Sequence, residues 1–139
     1  MVTDVEIEKW LYGLIAESNL AKAVSGRLTD RGRPKESAKE DIVINCYSLE
    51  GSGQEQIATV NINIYVSDIW NVDTANWERD TIRINELCNL CKFLYRIYDN
   101  GMRVTEESRQ KTFPLNVEFQ DGHTEHFINN KLKINICND

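Results

Sequence analysis

A chain of 139 residues is the size of one ordinary domain, and its 41% hydrophobic content is enough for a real core. The formal net charge of −6 argues against general affinity for a phosphate backbone, which is itself negative. No apolar run approaches the roughly 20 residues that span a bilayer. The start Met1-Val2-Thr3-Asp4 lacks the basic and apolar regions of a secretory leader, so the chain reads as made in the cytoplasm, with no membrane partner.

Thr3 and Glu6 fit a capping box, and Ile7, Leu11, Leu14 and Ile15 follow on one stripe beside Trp10. A helix is expected over residues 4–17, and a short second turn over 20–24 is stopped by Ser25-Gly26. Residues 27–40 are polar, with Leu28 as the one large apolar side chain and Gly32 and Pro34 as breakers. They read as a flexible charged loop or arm. Arg27, Arg31, Arg33, Lys35 and Lys39 make it basic within an acidic chain.

Residues 41–49, with Ile42-Val43-Ile44, read as a first strand, and 50–53 as a turn. Over 55–66 the pattern alternates: Val60, Ile62, Ile64 and Val66 point one way, Asn61, Asn63 and Tyr65 the other. That is a half-buried strand at near-ideal period two, and it pairs back as an antiparallel hairpin. Ile69, Trp70 and Val72 form an apolar trio in the connection that follows. Such a trio either tucks under the core or anchors a partner. Tucking is the expectation, because isolated exposed aromatics are uncommon.

A long helix is expected over 75–99, its stripe running through Trp77, Ile84, Leu87, Cys88, Cys91, Leu94, Tyr95 and Tyr98. Asn100-Gly101 would stop it. At about 1.5 Å per residue it would be roughly 36 Å long and would form the spine of the core. Met102-Arg103-Val104 then begins a strand, and Pro114 marks an edge or bulge. Residues 115–119 read as a strand, and Asp121-Gly122 signals a type I′ hairpin turn. Residues 124–137 pair back. His126, Ile128, Leu132, Ile134 and Ile136 face one way, against Phe127, Asn129, Lys131, Lys133 and Asn135.

The order helix, hairpin, long helix, hairpin predicts a single α+β domain over 1–139. It would be a two-layer sandwich: a four-stranded, mainly antiparallel sheet with the long helix and the N-terminal helix on one face.

The residues that could carry chemistry are few. Cys88 and Cys91 form a Cys-x-x-Cys, but inside a helical pattern and not at the helix N-terminus, where the dipole would lower a thiol pKa. A zinc site would need Cys46 and Cys137 as further ligands, at a spacing unlike zinc ribbons. Small buried apolar residues are the plainer reading of all four. His123 sits at a hairpin tip. His126, three positions on, faces the opposite way along a strand, so the two cannot share a metal, and His126 is expected to be partly buried and hydrogen-bonded. No Ser–His–Asp order, nucleophile elbow, P-loop or dinucleotide fingerprint occurs, and no catalytic, cofactor or metal residues are assigned. Asn61, Asn63, Asn129 and Asn135 line polar strand faces with neutral hydrogen-bonding groups.

The element order, with Ile42-Val43-Ile44, Val60-Asn61-Ile62-Asn63-Ile64-Tyr65-Val66 and Glu125-His126-Phe127-Ile128-Asn129, resembles phage tail-terminator and tail-completion proteins of phages and prophages of gut bacteria. The resemblance implies a non-enzymatic virion protein that caps the tail tube as a ring, commonly a hexamer. Its partners would be its own copies, the tail tube and the head-side connector, with no specific nucleic-acid binding. No catalytic residues carry over. A closed ring needs a head-to-tail interface. The candidates for it are Arg27, Arg31, Arg33 and Lys35 in the arm, with Ile69 and Trp70 in the loop. The competing readings are a small binding module with a pocket between the long helix and the sheet, and a metal or redox protein using Cys88 and Cys91.

Overall fold

The computed structural model describes residues 1–138. Helix α1 (Asp4–Ala16) starts as its capping box demands. The Thr3 hydroxyl accepts from the Glu6 amide at 3.1 Å, and the Glu6 carboxylate accepts from the Thr3 amide at 3.3 Å. The short helix α2 (Asn19–Ala23) is capped by Ser18. Strand β1 (Leu28–Thr29) runs parallel to the start of β2 (Ile42–Glu50), and β2 turns back antiparallel onto β3 (Glu55–Ser67). A bulge between Cys46 and Ser48 throws Tyr47 out to solvent.

Strands β4 (Ile69–Asn71) and β5 (Asn76–Glu78) form a two-stranded hairpin of their own. Helix α3 (Thr81–Leu90) tightens into a 3₁₀ turn over Lys92–Arg96. Strands β6 (Tyr98–Asp99), β7 (Met102–Val104), β8 (Arg109–Leu115) and β9 (Glu125–Cys137) complete the chain. The main sheet runs β1-β2-β3-β9-β7-β6, with β8 also on β9. One edge of β9 is paired with β3 along its whole length. The other edge is shared: β7 takes Ile134–Ile136 and β8 takes residues 125–131.

This differs from the expected sandwich of four strands and a long helix. Among the described residues the sheet has seven strands curled into a half-barrel, with three α-helices. Residues 75–99 are not one helix but a strand, a ten-residue helix, a 3₁₀ turn and a second strand. The signal that decides this lay inside the supposed helix. The Asp80 carboxylate accepts from the Arg83 amide at 3.1 Å, so α3 begins there, and Trp77 is left free to pair with Trp70 across the hairpin.

The two Asx-Gly signals exchanged roles for the same kind of reason. Asn100 and Gly101 both have positive φ, 49° and 76°, and make the two-residue turn between β6 and β7. A Cβ at Gly101 would lie 2.7 Å from the Cys137 carbonyl oxygen, so glycine is required by space as well as by angle. Asp121-Gly122 sits instead in a three-residue loop. Only Gly122 has positive φ, and the Phe119 amide reaches the His123 carbonyl across it. The final hairpin strand is therefore β8, not residues 115–119.

The helices cover the inner face of the sheet. Ile7, Leu11 and Ile15 of α1, Leu20 of α2 and Ile84 and Leu87 of α3 meet Ile44, Ile62, Ile64, Ile128, Leu132 and Ile134 of the strands, all buried. Asn130 is buried among them because it occupies an inward position of β9. Its amide group is fully used: Tyr95 donates to it at 2.7 Å and Gln110 at 3.0 Å, while its NH₂ donates to the Ile62 carbonyl at 3.3 Å and approaches the Cys91 sulfur at 3.4 Å. Leu132→Ala is expected to cost about 2–5 kcal/mol through the cavity it leaves, and Thr3→Ala about 1 kcal/mol through the lost cap, both read from urea unfolding midpoints.

Candidate interaction surface

The basic segment before β2 is tied to the sheet. The Arg33 guanidinium donates from Nε to Asp41 at 3.0 Å, from Nη1 and Nη2 to the two Glu125 oxygens at 2.6 and 2.8 Å, and from Nη2 to the Lys39 carbonyl at 2.9 Å. Its carbon lies 4.2 Å from the centre of the Tyr65 ring. Both carboxylates are buried, at 1% exposure for each residue. Burial alone pushes Asp41 up, but hydrogen bonds from Ser37, the Arg27 amide and Arg33 outweigh it, and its pKa lies below the usual carboxylate range. Burial pulls Arg33 down, but its bonds to Glu125 and Asp41 outweigh that, and its pKa is raised.

A second clamp holds the same segment from the helix side. Arg83 donates to both Glu40 oxygens at 2.7 Å and to the Ala23 carbonyl at 2.7 Å. Gly26 passes so close beneath that a Cβ would lie 2.3 Å from the Asp41 carboxylate and 2.6 Å from the Glu40 carbonyl. Of the expected interface residues, Arg27, Arg31 and Lys35 are exposed, whereas Arg33 serves the interior.

Ile69, Trp70 and Val72 do not tuck under the core. They are 51%, 50% and 79% exposed, because β4 and β5 pair with each other and stand off the main sheet. Trp70 meets Trp77 edge-on at 5.5 Å. Trp77 meets His123 at 6.1 Å, and His123 stacks on Phe119 at 4.2 Å. The hairpin thus leans on the β8–β9 loop, and Val117 of that loop is 55% exposed.

The histidines occupy separate places. His123 is bonded to Asp121, and its buried Nε2 has no partner among the described residues. His126 Nδ1 meets the buried Asp68 carboxylate at 2.7 Å, and Thr124 also donates to that carboxylate. A groove of about 410 Å³ beside this pair is lined by Trp77, Pro114, Val117 and Glu118. A second groove, of about 360 Å³, lies between α3 and the edge of β8, beside Ile84, Cys88 and Lys111. Cys88 and Cys91 sit at the end of α3, not at its start. Burial pushes Cys88 up and Cys91 to about 12, the opposite of what a reactive thiol needs. Among the described residues no group of three His, Cys, Asp or Glu side chains could hold a metal ion.

The outer face of the sheet carries a ladder of side chains. Tyr65, Phe127 and Phe113 follow one another across β3, β9 and β8 at 5.8 and 5.5 Å. One row along, the Asn129 amide donates to Asn63 at 2.7 Å and to Asn61 at 3.1 Å. The polar pattern legible in the strands is therefore a connected network on one surface.

No protein-family model matches this chain, and no curated protein matches it in sequence.

Arg33→Ala would leave Asp41 and Glu125 buried without their cation. It is expected to cost about 3–5 kcal/mol, against less than about 0.5 kcal/mol for Arg31→Ala or Lys35→Ala, measured by chemical denaturation. The ionised form of Asp41 is favoured in the folded state, so its contribution is complete above the unfolded value of about 4 and is lost as pH falls through the lower folded value. Asp41→Asn should therefore lower stability at pH 7 and flatten the loss of stability below about pH 4 in a pH series of melting curves.

Proposed function

We propose that the chain is a non-enzymatic virion structural protein: a tail-terminator or tail-completion subunit that assembles as a ring, caps the tail tube and joins it to the head-side connector. Its partners are its own copies, the tube and the connector, and its place is the neck of the virion. The observation that carries this reading is the hairpin end. Ile69, Trp70 and Val72 stand in solvent on a two-stranded projection, with Val117 beside them. Large apolar side chains exposed together on a short projection suit protein contact, and Trp is enriched among the anchors of such contacts.

Two further features agree with an assembly role. The polar groups that could do chemistry are engaged structurally: Asp68 holds His126 and Thr124, and burial keeps the Cys91 thiol protonated. The acidic balance of the chain also suits a subunit of a ring through which DNA passes, since like charge discourages gripping.

Light scattering over a concentration series, with negative-stain imaging, tests the proposal. Rings of about six subunits are expected from head-to-tail closure. A chain that remains monomeric at every concentration would overturn the ring.

A further inference from the structure

Cations stand on four successive rows of the outer sheet face, and Arg109 faces Lys131 across β8 and β9 on the second of them. Lys111 lies opposite Asn129, and Lys131 opposite Asn61. Lys133 lies opposite Thr59, and Arg103 opposite Asn135. Along β9 this stripe is about 20 Å long at the usual rise of a strand. Among the described residues no carboxylate lies within ion-pair distance of any of these cations. Lys133 donates to the Thr59 hydroxyl and Lys111 sits over the Phe113 ring, so both are held on that face by neutral groups.

The complementary charge lies elsewhere on the same molecule. The hairpin that exposes Ile69, Trp70 and Val72 also carries Asp73 and Glu78, and Glu118 lies beside Trp77 in the β8–β9 loop on which it leans. Glu78 accepts from Asn71 and Thr74, and none of the three has a cation partner among the described residues. The two surfaces do not pair within one copy. The aromatic rings of the outer face pack on one another, Tyr65 tilted on Phe127 and Phe113 stacked on it, and Arg33 covers the Tyr65 ring.

We propose that the hairpin end of one copy seats on the basic outer sheet face of the next, head to tail. This rests on the ring reading above and names the two halves of its interface. The apolar side chains supply the anchor, and the unmet charges set orientation and reject the wrong face. Because the two patches differ, each copy offers one of each, and the contact repeats until the ring closes.

Two charge-reversed chains test it. Lys131→Glu with Lys133→Glu reverses the sheet face, and Asp73→Lys with Glu118→Lys reverses the hairpin. Each chain alone should lose assembly at least tenfold in concentration while melting as the wild type does. Mixed in equal amounts they should assemble again, because every hairpin then meets a face of opposite sign in an alternating ring. Reversed chains that form wild-type rings would overturn the inference and leave the ring reading standing. Failure of the mixture to recover would also overturn it. So would binding of a mixed-sequence DNA oligonucleotide that the sheet reversal abolishes without altering the ring, since the face would then serve phosphates. A monomeric wild type would overturn both readings.

Discussion

The pairing of β3 with β9 is the constraint on which the rest of the molecule depends. Each strand has 13 residues, and they are in register from Glu55 against Cys137 to Ser67 against Glu125. The contact is non-local: Asn130 and the Ile62 carbonyl it binds are 68 residues apart. Once the register is set, Ile62, Ile64, Ile128, Leu132 and Ile134 become one apolar wall against which three helices pack. A slip of one residue would turn that whole wall to solvent. Asn130 helps forbid the slip, because its amide finds Tyr95, Gln110 and the Ile62 carbonyl in this register.

Charge is handled differently inside and outside. The end of the sheet buries two carboxylates, Asp41 and Glu125, which would repel each other without a cation between them. Arg33 reaches both with its planar fork, bidentate on Glu125, and lays its flat face over the Tyr65 ring. A lysine could not satisfy that geometry. The segment that delivers Arg33 looks like a loose basic arm when read as a string. Its backbone is held by Asp41 and Glu40, and Arg83 grips Glu40 from α3. On the outer sheet face the cations have no such partners, and that contrast separates residues that hold the fold from residues available to a neighbour.

The functional reading therefore rests on surfaces. His126, Cys91 and Asn130, which could suggest chemistry, are absorbed into the packing, each with a partner that explains its position. What is left over is apolar and acidic surface on the hairpin end and basic surface across the sheet. The first lies on a two-stranded hairpin, its turn and the neighbouring loop, the second on the strands of the main sheet.

By itself the sequence determined the N-terminal helix with its capping box, the first hairpin, and the alternation that sends Asn61, Asn63, Asn129 and Lys131 to one face. All of these follow from local capping or from period two, which short-range sterics enforce. Among the proposed contact residues it singled out Ile69 and Trp70. It also placed Arg33 there, because a guanidinium in a polar run carries no mark of the buried carboxylate it will meet. The division of 75–99 was decided by tertiary structure. An apolar stripe at helical spacing can be drawn through that stretch, but the pairing of Trp70 with Trp77 and the cap at Asp80 place those side chains otherwise. The seven-stranded sheet was decided the same way. Strands of two or three residues such as β1, β6 and β7 have no periodicity of their own, and they exist because a long neighbour offers them an edge to complete.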